Sequence, residues 1–387
     1  MVTSRVPLRL SGEQNYPVPP LAMPETAKTA REHVAESEAG RLFAARAAAV
    51  QPTFAIRDDN AADIATICQR LDGLPLAIEL AAARANVLTP EALLARLDRR
   101  LPLLTSGARD LPERQQTMRQ TIAWSYDLLP EPDPRLFRWL SVFDGGFSLD
   151  SAEAIVADDP KLDAFAGVSA LVDNSMIRQV EGPAGEPRFL MLETLREFGL
   201  EQMAAAGEEA AAREAHAAHY LTLAERSYQE LGGSRSGYWH AKWVAEIDNV
   251  RAAITWLGES GAAASGMRLV YSLWQLWDHT GRQREPVETV ERLLAAGPDA
   301  PPAVRGGAMI IAGWALLHLQ DLAKAAQFAE TALSLARQGQ DARILMLAYE
   351  FMGAVRGVSG DLADGARYTQ ESLELARAHG EDSIANG

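Results

Sequence analysis

Apolar residues along this chain recur mostly at intervals of three and four, the spacing of one face of an α-helix. Residues 37–50 are alanine-rich, with Leu42, Phe43 and Val50 as apolar anchors. Ile64, Ile67 and Leu71 repeat at helical spacing behind a cap at Asp59 or Asn60. Gly73 suits a left-handed helix end, and Pro75 suits the first turn of the next helix. Leu76, Leu80, Ala83 and Val87 are expected to line one face of that helix, and Thr89-Pro90-Glu91 starts another. Beyond residue 105 the pattern changes. One helix carries Ile122, Trp124 and Leu128, and a second carries Leu136, Phe137 and Leu140. Gly145-Gly146 interrupts the chain, and short helices follow over 148–156 and 165–174. Residues 176–180 and 188–192 read as two strands around a Gly/Pro-rich turn, and a helix over 193–206 closes the unit. Helices followed by a two-stranded wing describe a winged helix.

From residue 208 onward the pattern is helical hairpins. Asp321-Leu322-Ala323 recurs 40 residues later as Asp361-Leu362-Ala363, and Leu335-Ala336-Arg337 recurs at the same offset as Leu375-Ala376-Arg377. Ala325, Ala326 and Ala332 in one copy and Gly365 and Ala366 in the other punctuate the same helix faces. This is a helix–turn–helix repeat of the tetratricopeptide kind, with a longer period. Prolines exclude a helix from residues 1–24. The fold class is therefore mainly α: a helical domain and a winged helix with a small β-wing, then an α-solenoid of tetratricopeptide-like hairpins. The domains are expected at 25–105 (helical), 106–206 (winged helix), 207–300 (hairpins leading into the solenoid) and 301–387 (repeats).

Composition narrows the chemistry. The 387 residues carry 37 Lys and Arg against 52 Asp and Glu, a net charge of -15, so the overall field opposes nucleic acid. The helix expected to face a DNA groove, residues 163–174, has no Arg or Lys and two acids, whereas base and phosphate contacts need cations and amides. Cys68 is the single cysteine, which excludes an intrachain disulfide and a multi-cysteine zinc site and fits a reducing cytoplasm. No apolar run approaches the roughly 20 residues of a membrane span. His216 and His219, with Glu214 nearby, are expected on a solvated helix face in preference to a metal site. Trp239, Trp243, Trp256, Trp274 and Trp277 are expected to pack between helices, with a ligand-lining groove as the alternative.

Six stretches stand in an order that resembles the STAND class of signal-transduction ATPases, specifically bacterial NB-ARC-type regulators with a winged helix and tetratricopeptide repeats. They begin at Val2-Thr3-Ser4-Arg5 with Tyr16-Pro17, Leu71-Asp72-Gly73-Leu74-Pro75, Thr121-Ile122-Ala123-Trp124, Leu140-Ser141-Val142-Phe143, Met191-Leu192-Glu193-Thr194 and Glu246-Ile247-Asp248-Asn249. The resemblance implies that residues 1–24 are the remnant of a nucleotide-binding α/β domain. It implies that Arg5 senses the terminal phosphate, a role suited to a fixed guanidinium fork. It also implies that Gly73 and Pro75 sit against the base and ribose, although both equally serve to separate two helices. Relatives carry Met-His-Asp at the end of the wing. Here the positions are Met191, Leu192 and Glu193, and a leucine cannot donate the switch hydrogen bond, so Met191 and Leu192 are expected to pack as core.

A phosphate loop needs Gly-x-x-x-x-Gly-Lys-Ser/Thr. None of Lys28, Lys161, Lys242 and Lys324 follows a glycine. Ala170-Leu171-Val172-Asp173 imitates the strand that would hold magnesium, but its surroundings read as a winged-helix helix. No ATP hydrolysis is expected, no catalytic or metal residues are assigned, and ATP or ADP is expected only for an intact family member. The chain is expected to begin just inside the nucleotide domain and to stop short of a capping repeat. The resulting reading is the sensor and switch arm of a cytoplasmic transcriptional regulator. It would bind a protein partner or small-molecule inducer on its helical repeats, without contacting nucleic acid or membrane. A stand-alone repeat scaffold and a DNA-binding winged-helix protein are the alternatives.

Overall fold

The computed structural model describes residues 13–14, 16, 18–24, 31–97, 118–230, 235–274, 277 and 283–379. It divides into two compact units, one comprising Met1–Val180 with Pro187–Ala210, the other Glu181–Glu186 with Ala211–Gly387. Among the described residues, no helix is long and apolar enough to cross a membrane.

The first unit starts with a helical part: α1 (Arg31–Glu36), α2 (Glu38–Val50), α3 (Ala61–Arg70), α4 (Pro75–Ala82) and α5 (Pro90–Leu94). Ser37 caps α2 by accepting the Gly40 N–H at 3.1 Å, and Thr89 caps α5 through the Ala92 N–H at 3.2 Å. Phe43, Ile64, Ile67, Leu71, Ile78 and Leu80 form the core. Three sequence expectations change. Val50 is exposed at the fraying end of α2. Asn60 precedes α3 without capping it. Its side chain closes the preceding turn instead, accepting from Arg57 N at 2.8 Å and donating to Ala55 O at 3.1 Å. Val87 is exposed because α4 tightens into a 3₁₀ turn over Ala83–Asn86, which shifts the phase of the face by the time the chain reaches it.

The second part of this unit contains α6 (Met118–Tyr126), α7 (Asp133–Leu140), β1 (Phe147–Ser148), α8 (Leu149–Val156), α9 (Ala164–Asp173), β2 (Arg178–Glu181), β3 (Pro187–Leu190) and α10 (Glu193–Ala205). The sheet order is β1-β3-β2, with Phe147 antiparallel to Phe189 and Ser148 to Arg188. Leu136, Phe137 and Leu140 are buried as their spacing requires. Ile122 is buried, but Trp124 and Leu128 are exposed. Trp124 is two positions from Ile122 and cannot share its helix face, and Leu128 lies beyond the helix end. Arg138 ties α7 to the end of α10 with a two-pronged pair to Glu208 (2.8 and 3.0 Å) and a bond to the Tyr126 hydroxyl at 2.7 Å.

Beyond its Glu181–Glu186 segment, the second unit is built of helices: α11 (Glu209–Glu230), α12 (Ser236–Ala245), α13 (Ile247–Glu259), α14 (Ala263–Ser272), α15 (Arg284–Ala296), α16 (Pro302–His318), α17 (Leu322–Gly339), α18 (Ala342–Val358) and α19 (Leu362–His379). Successive helices pack on one another from α13 to α19, the nearest-neighbour stacking of a solenoid. The repeat seen in the sequence has a structural counterpart. Asp321 and Asp361 each precede a helix of 18 residues, and each carboxylate accepts the N–H three residues on, both at 3.2 Å. The copies pack alike at Ala325, Ala332 and Ala336 and their counterparts Gly365, Ser372 and Ala376, all buried, and differ at Leu322 and Ala326, half-buried, against Leu362 and Ala366, exposed. Trp239, Trp243 and Trp277 are buried, Trp256 is half-buried, and Trp274 is exposed. Packing therefore accounts for three of the five.

Candidate functional site

The Leu71–Pro75 stretch is built by the way α3 ends. Asp72 N bonds Gln69 O at 2.9 Å and Gly73 N bonds Cys68 O at 3.1 Å, which is a Schellman termination. The residue just past the cap is thus Asp72 rather than Gly73. Both are left-handed, with φ of 55° and 66°. Asp tolerates this region better than most residues, and Gly has no penalty there. Gly73 has a second reason to be glycine. A Cβ there would lie 2.6 Å from Leu21 O, because the segment before α1 crosses this point and Leu21 N donates to Gly73 O at 3.0 Å. That segment is fastened further by Ala22 N to Glu38 Oε2 (2.9 Å) and by Gln69 Nε2 to Pro24 O (3.1 Å). Pro75 occupies the first turn of α4, as expected, and is exposed.

The double left-handed turn aims the Asp72 carboxylate at the start of α10, where it accepts the Glu193 N–H at 3.0 Å. Leu192, the residue before α10, offers no side-chain cap, so a carboxylate 121 positions away supplies one. Sequence reasoning missed Asp72. Its signal was an Asp directly before the glycine at a helix end.

Around this contact lies a cavity of about 120 Å³ lined by Asp72, Phe143, Arg178, Met191, Leu192 and Arg196 among others. Met191 and Leu192 are half-buried on its wall rather than fully buried as core. Arg196 is engaged by Phe143 O at 2.7 Å and by Asp144 at 3.3 Å. Arg188, buried on β3, donates to Gly145 O and Gly146 O at 2.9 and 3.0 Å and so clasps the glycine turn. Asp72, the residue before Gly73, lines this cavity, whereas Gly73 and Pro75 are not part of its lining and Arg5 lies outside the described residues.

The second unit holds a buried polar network. Glu246 Oε2 accepts from the Tyr220 hydroxyl and from Asn249 Nδ2, both at 2.7 Å, and Asn249 Oδ1 lies 3.3 Å from His216 Nε2. All four side chains are buried. His216 is therefore a core histidine and not part of a solvated face. His219, half-buried, packs edge-on against Tyr220 at 5.0 Å. Among the described residues, no group of three His, Cys, Asp or Glu side chains is placed to hold a metal ion. The helix expected to face DNA, α9, exposes Phe165 (64 %), Ala166 and Ser169, and Asp163 caps it through Ala166 N at 2.9 Å.

This arrangement of helices and wing has a counterpart in known proteins. Residues 129–204 match the winged helix-turn-helix domain. HTH-type transcriptional regulators of Mycobacterium bovis and Mycobacterium tuberculosis are 34 % identical to the chain over 391 aligned residues, covering 98 % of this chain and 42 % of theirs. A further M. tuberculosis protein, uncharacterized, is 36 % identical over 211 residues, covering 54 % of this chain and 50 % of its own length. The chain thus spans about two fifths of the length of the regulators it resembles. Among solved structures, a STAND protein with a tetratricopeptide repeat sensor from Pyrococcus horikoshii aligns over 90 % of this chain and 55 % of its own, at 14 % identity and a TM-score of 0.30.

Proposed function

We propose that this chain is the sensor and switch arm of an HTH-type transcriptional regulator of the NB-ARC kind, acting in the cytoplasm. It binds a protein partner or a small-molecule inducer on its helical repeats and does not itself hydrolyse ATP. The observation that carries this reading is the sequence similarity to HTH-type regulators across 98 % of the chain, through both the winged helix and the repeats. Within the first unit, the Asp72–Glu193 contact joins the helical part to the last helix of the winged part. That contact is the place where a change of state would separate them. Residues around Gly73 and Pro75 supply a surface for a nucleotide's base and sugar, with Arg5 for its terminal phosphate. Lacking a Gly-Lys-Ser/Thr loop, the chain alone is expected to bind neither ADP nor ATP measurably.

The test is genetic. Removing residues 342–379 in frame in the native host and sequencing total RNA is expected to change a limited, reproducible set of transcripts. An unchanged profile across growth conditions refutes the regulatory reading, and ATP turnover by purified chain above background refutes the non-enzymatic part. The winged helix-turn-helix match favours a second reading, direct DNA binding. Against it stands α9, whose exposed face offers no cation and no amide. A salt-dependent mobility shift of duplex DNA would establish that reading instead.

A further inference from the structure

In the second unit a cavity of about 320 Å³ opens between α11, α14, α16 and α18. Its size is at the small end of the range for ligand pockets, which suits a molecule of one or two rings. Planar groups form one side. The Tyr228 and Tyr271 rings are 5.1 Å apart with their hydroxyls hydrogen-bonded to each other, and the Arg343 guanidinium lies 4.2 Å from the centroid of Tyr228. Val304 and Ile344 provide apolar wall. Gly307 keeps that wall low, since a Cβ there would sit 3.1 Å from Ile344 and 3.2 Å from Tyr271.

Two observations point to a ligand and to its kind. Ser272 lines the cavity and is only 4 % exposed. A hydroxyl on the wall of a cavity can donate to or accept from a guest that enters it. The charges around the cavity also cancel. Arg268 pairs with Glu225. Asp341 holds the Arg343 and Ile344 N–H groups at 3.0 and 3.1 Å, and Arg343 stacks on Tyr228. No net field is left to draw in an ion, and the charged rim disfavours a purely apolar guest.

We infer that this cavity is a binding site for a small, net-neutral, planar molecule that carries hydroxyl or amide groups, with Ser272 as a hydrogen-bonding anchor. The inference rests on the sensor reading above and supplies its ligand class. Burial, with the neighbouring Tyr228 adding to it, pushes the Tyr271 phenol above its ordinary range, so Tyr271 presents a neutral hydroxyl.

The test uses the full chain and three probes of one size: neutral 4-hydroxybenzamide, anionic benzoate and cationic benzylammonium, followed by saturation-transfer NMR and titration. 4-Hydroxybenzamide is expected to bind at least about fivefold more tightly than either ion. Ser272→Ala is expected to weaken it about 3–10-fold without lowering the melting temperature. Val304→Phe, which fills the cavity from a half-exposed wall, is expected to abolish it. Absence of 4-hydroxybenzamide binding, preference for an ion, or binding unaffected by both substitutions overturns the inference. These outcomes are independent of the RNA profile. Altered transcripts without probe binding reject the ligand and leave the regulator, and probe binding with an unchanged profile does the reverse.

Discussion

Gly73→Ala separates a conformational requirement from a ligand-contacting role. The substitution places a Cβ on a residue with φ of 66° and 2.6 Å from Leu21 O. The left-handed conformation alone costs an alanine roughly 1 kcal/mol. Relieving the close approach moves the segment that carries Leu21 and breaks its 3.0 Å bond to Gly73 O, worth about 0.5–1.5 kcal/mol more. The sum is about 1.5–2.5 kcal/mol, or roughly 3–10 °C in the melting transition of a unit this size. Calorimetry of the full chain reads the shift, and hydrogen–deuterium exchange on peptides spanning 61–82 assigns it to this turn. Pro75→Ala is the control. Pro75 is exposed in the first turn of α4, so its loss is expected to cost less than about 0.5 kcal/mol. Gly73→Ala within about 0.5 kcal/mol of the parent would refute the argument that this backbone demands glycine. Gly73 would then be retained for something that touches it from outside.

Three further outcomes follow from particular side chains. Tyr220→Phe removes a hydroxyl that donates to the buried Glu246 carboxylate at 2.7 Å, and is expected to cost about 1–3 kcal/mol in urea denaturation; a neutral result would mean that the network of Tyr220, Glu246, Asn249 and His216 is incidental. Burial, with Glu131 second, raises the Asp133 carboxyl above its ordinary range, so its ionised form weighs against the fold, and that cost is present at neutral pH and vanishes as pH falls below the unfolded carboxyl's range. Asp133→Asn should therefore raise the melting temperature at pH 7 and lose that advantage near pH 3, and a gain that is the same at both would disprove the assignment. Burial pushes the Cys68 thiol up to about 12, so a thiol-specific disulfide reagent at pH 8 is expected to label it only after denaturant is added, and prompt labelling of the native chain would contradict its burial.

Local signals carried most of the helices into view in advance. Thr89 before Pro90, Ser148 before α8 and the paired Asp321 and Asp361 each announce a helix start through their own neighbouring N–H groups, so short sequence windows contain them. The wing was visible through its turn, although the two-residue β1 was not, because its one partner, β3, lies some 40 positions away. What escaped notice depends on distant partners. His216 reads as a solvated histidine until Asn249, 33 residues on, is brought against it. Asp72 reads as a loop residue until α10 presents an N–H to it. The candidate site was legible as Gly73 and Pro75, whose backbone demands are local. Its acidic contact was not, because that contact exists only once two parts of the unit are packed.

The proposal that this winged helix does not read DNA rests on where its cations lie. Groove-reading domains present cations on the recognition helix and the wing, and each phosphate neutralised adds to affinity. In the winged part of this unit several arginines face acids or carbonyls of the chain itself, while Arg178 on the wing and Lys161 are exposed. Arg135 pairs with Asp159 and Glu208, Arg138 with Glu208 and Arg119 with Glu201. Arg188, on the wing, is buried against two carbonyl oxygens. A duplex approaching α9 would meet Phe165, Ala166 and Ser169, and drawing a paired arginine toward a phosphate would cost a partly buried carboxylate such as Glu208 one of its two arginine partners. The arginines therefore stiffen the unit. Their pairing supports a winged helix whose task is to hold or release the Asp72–Glu193 contact rather than to occupy a groove.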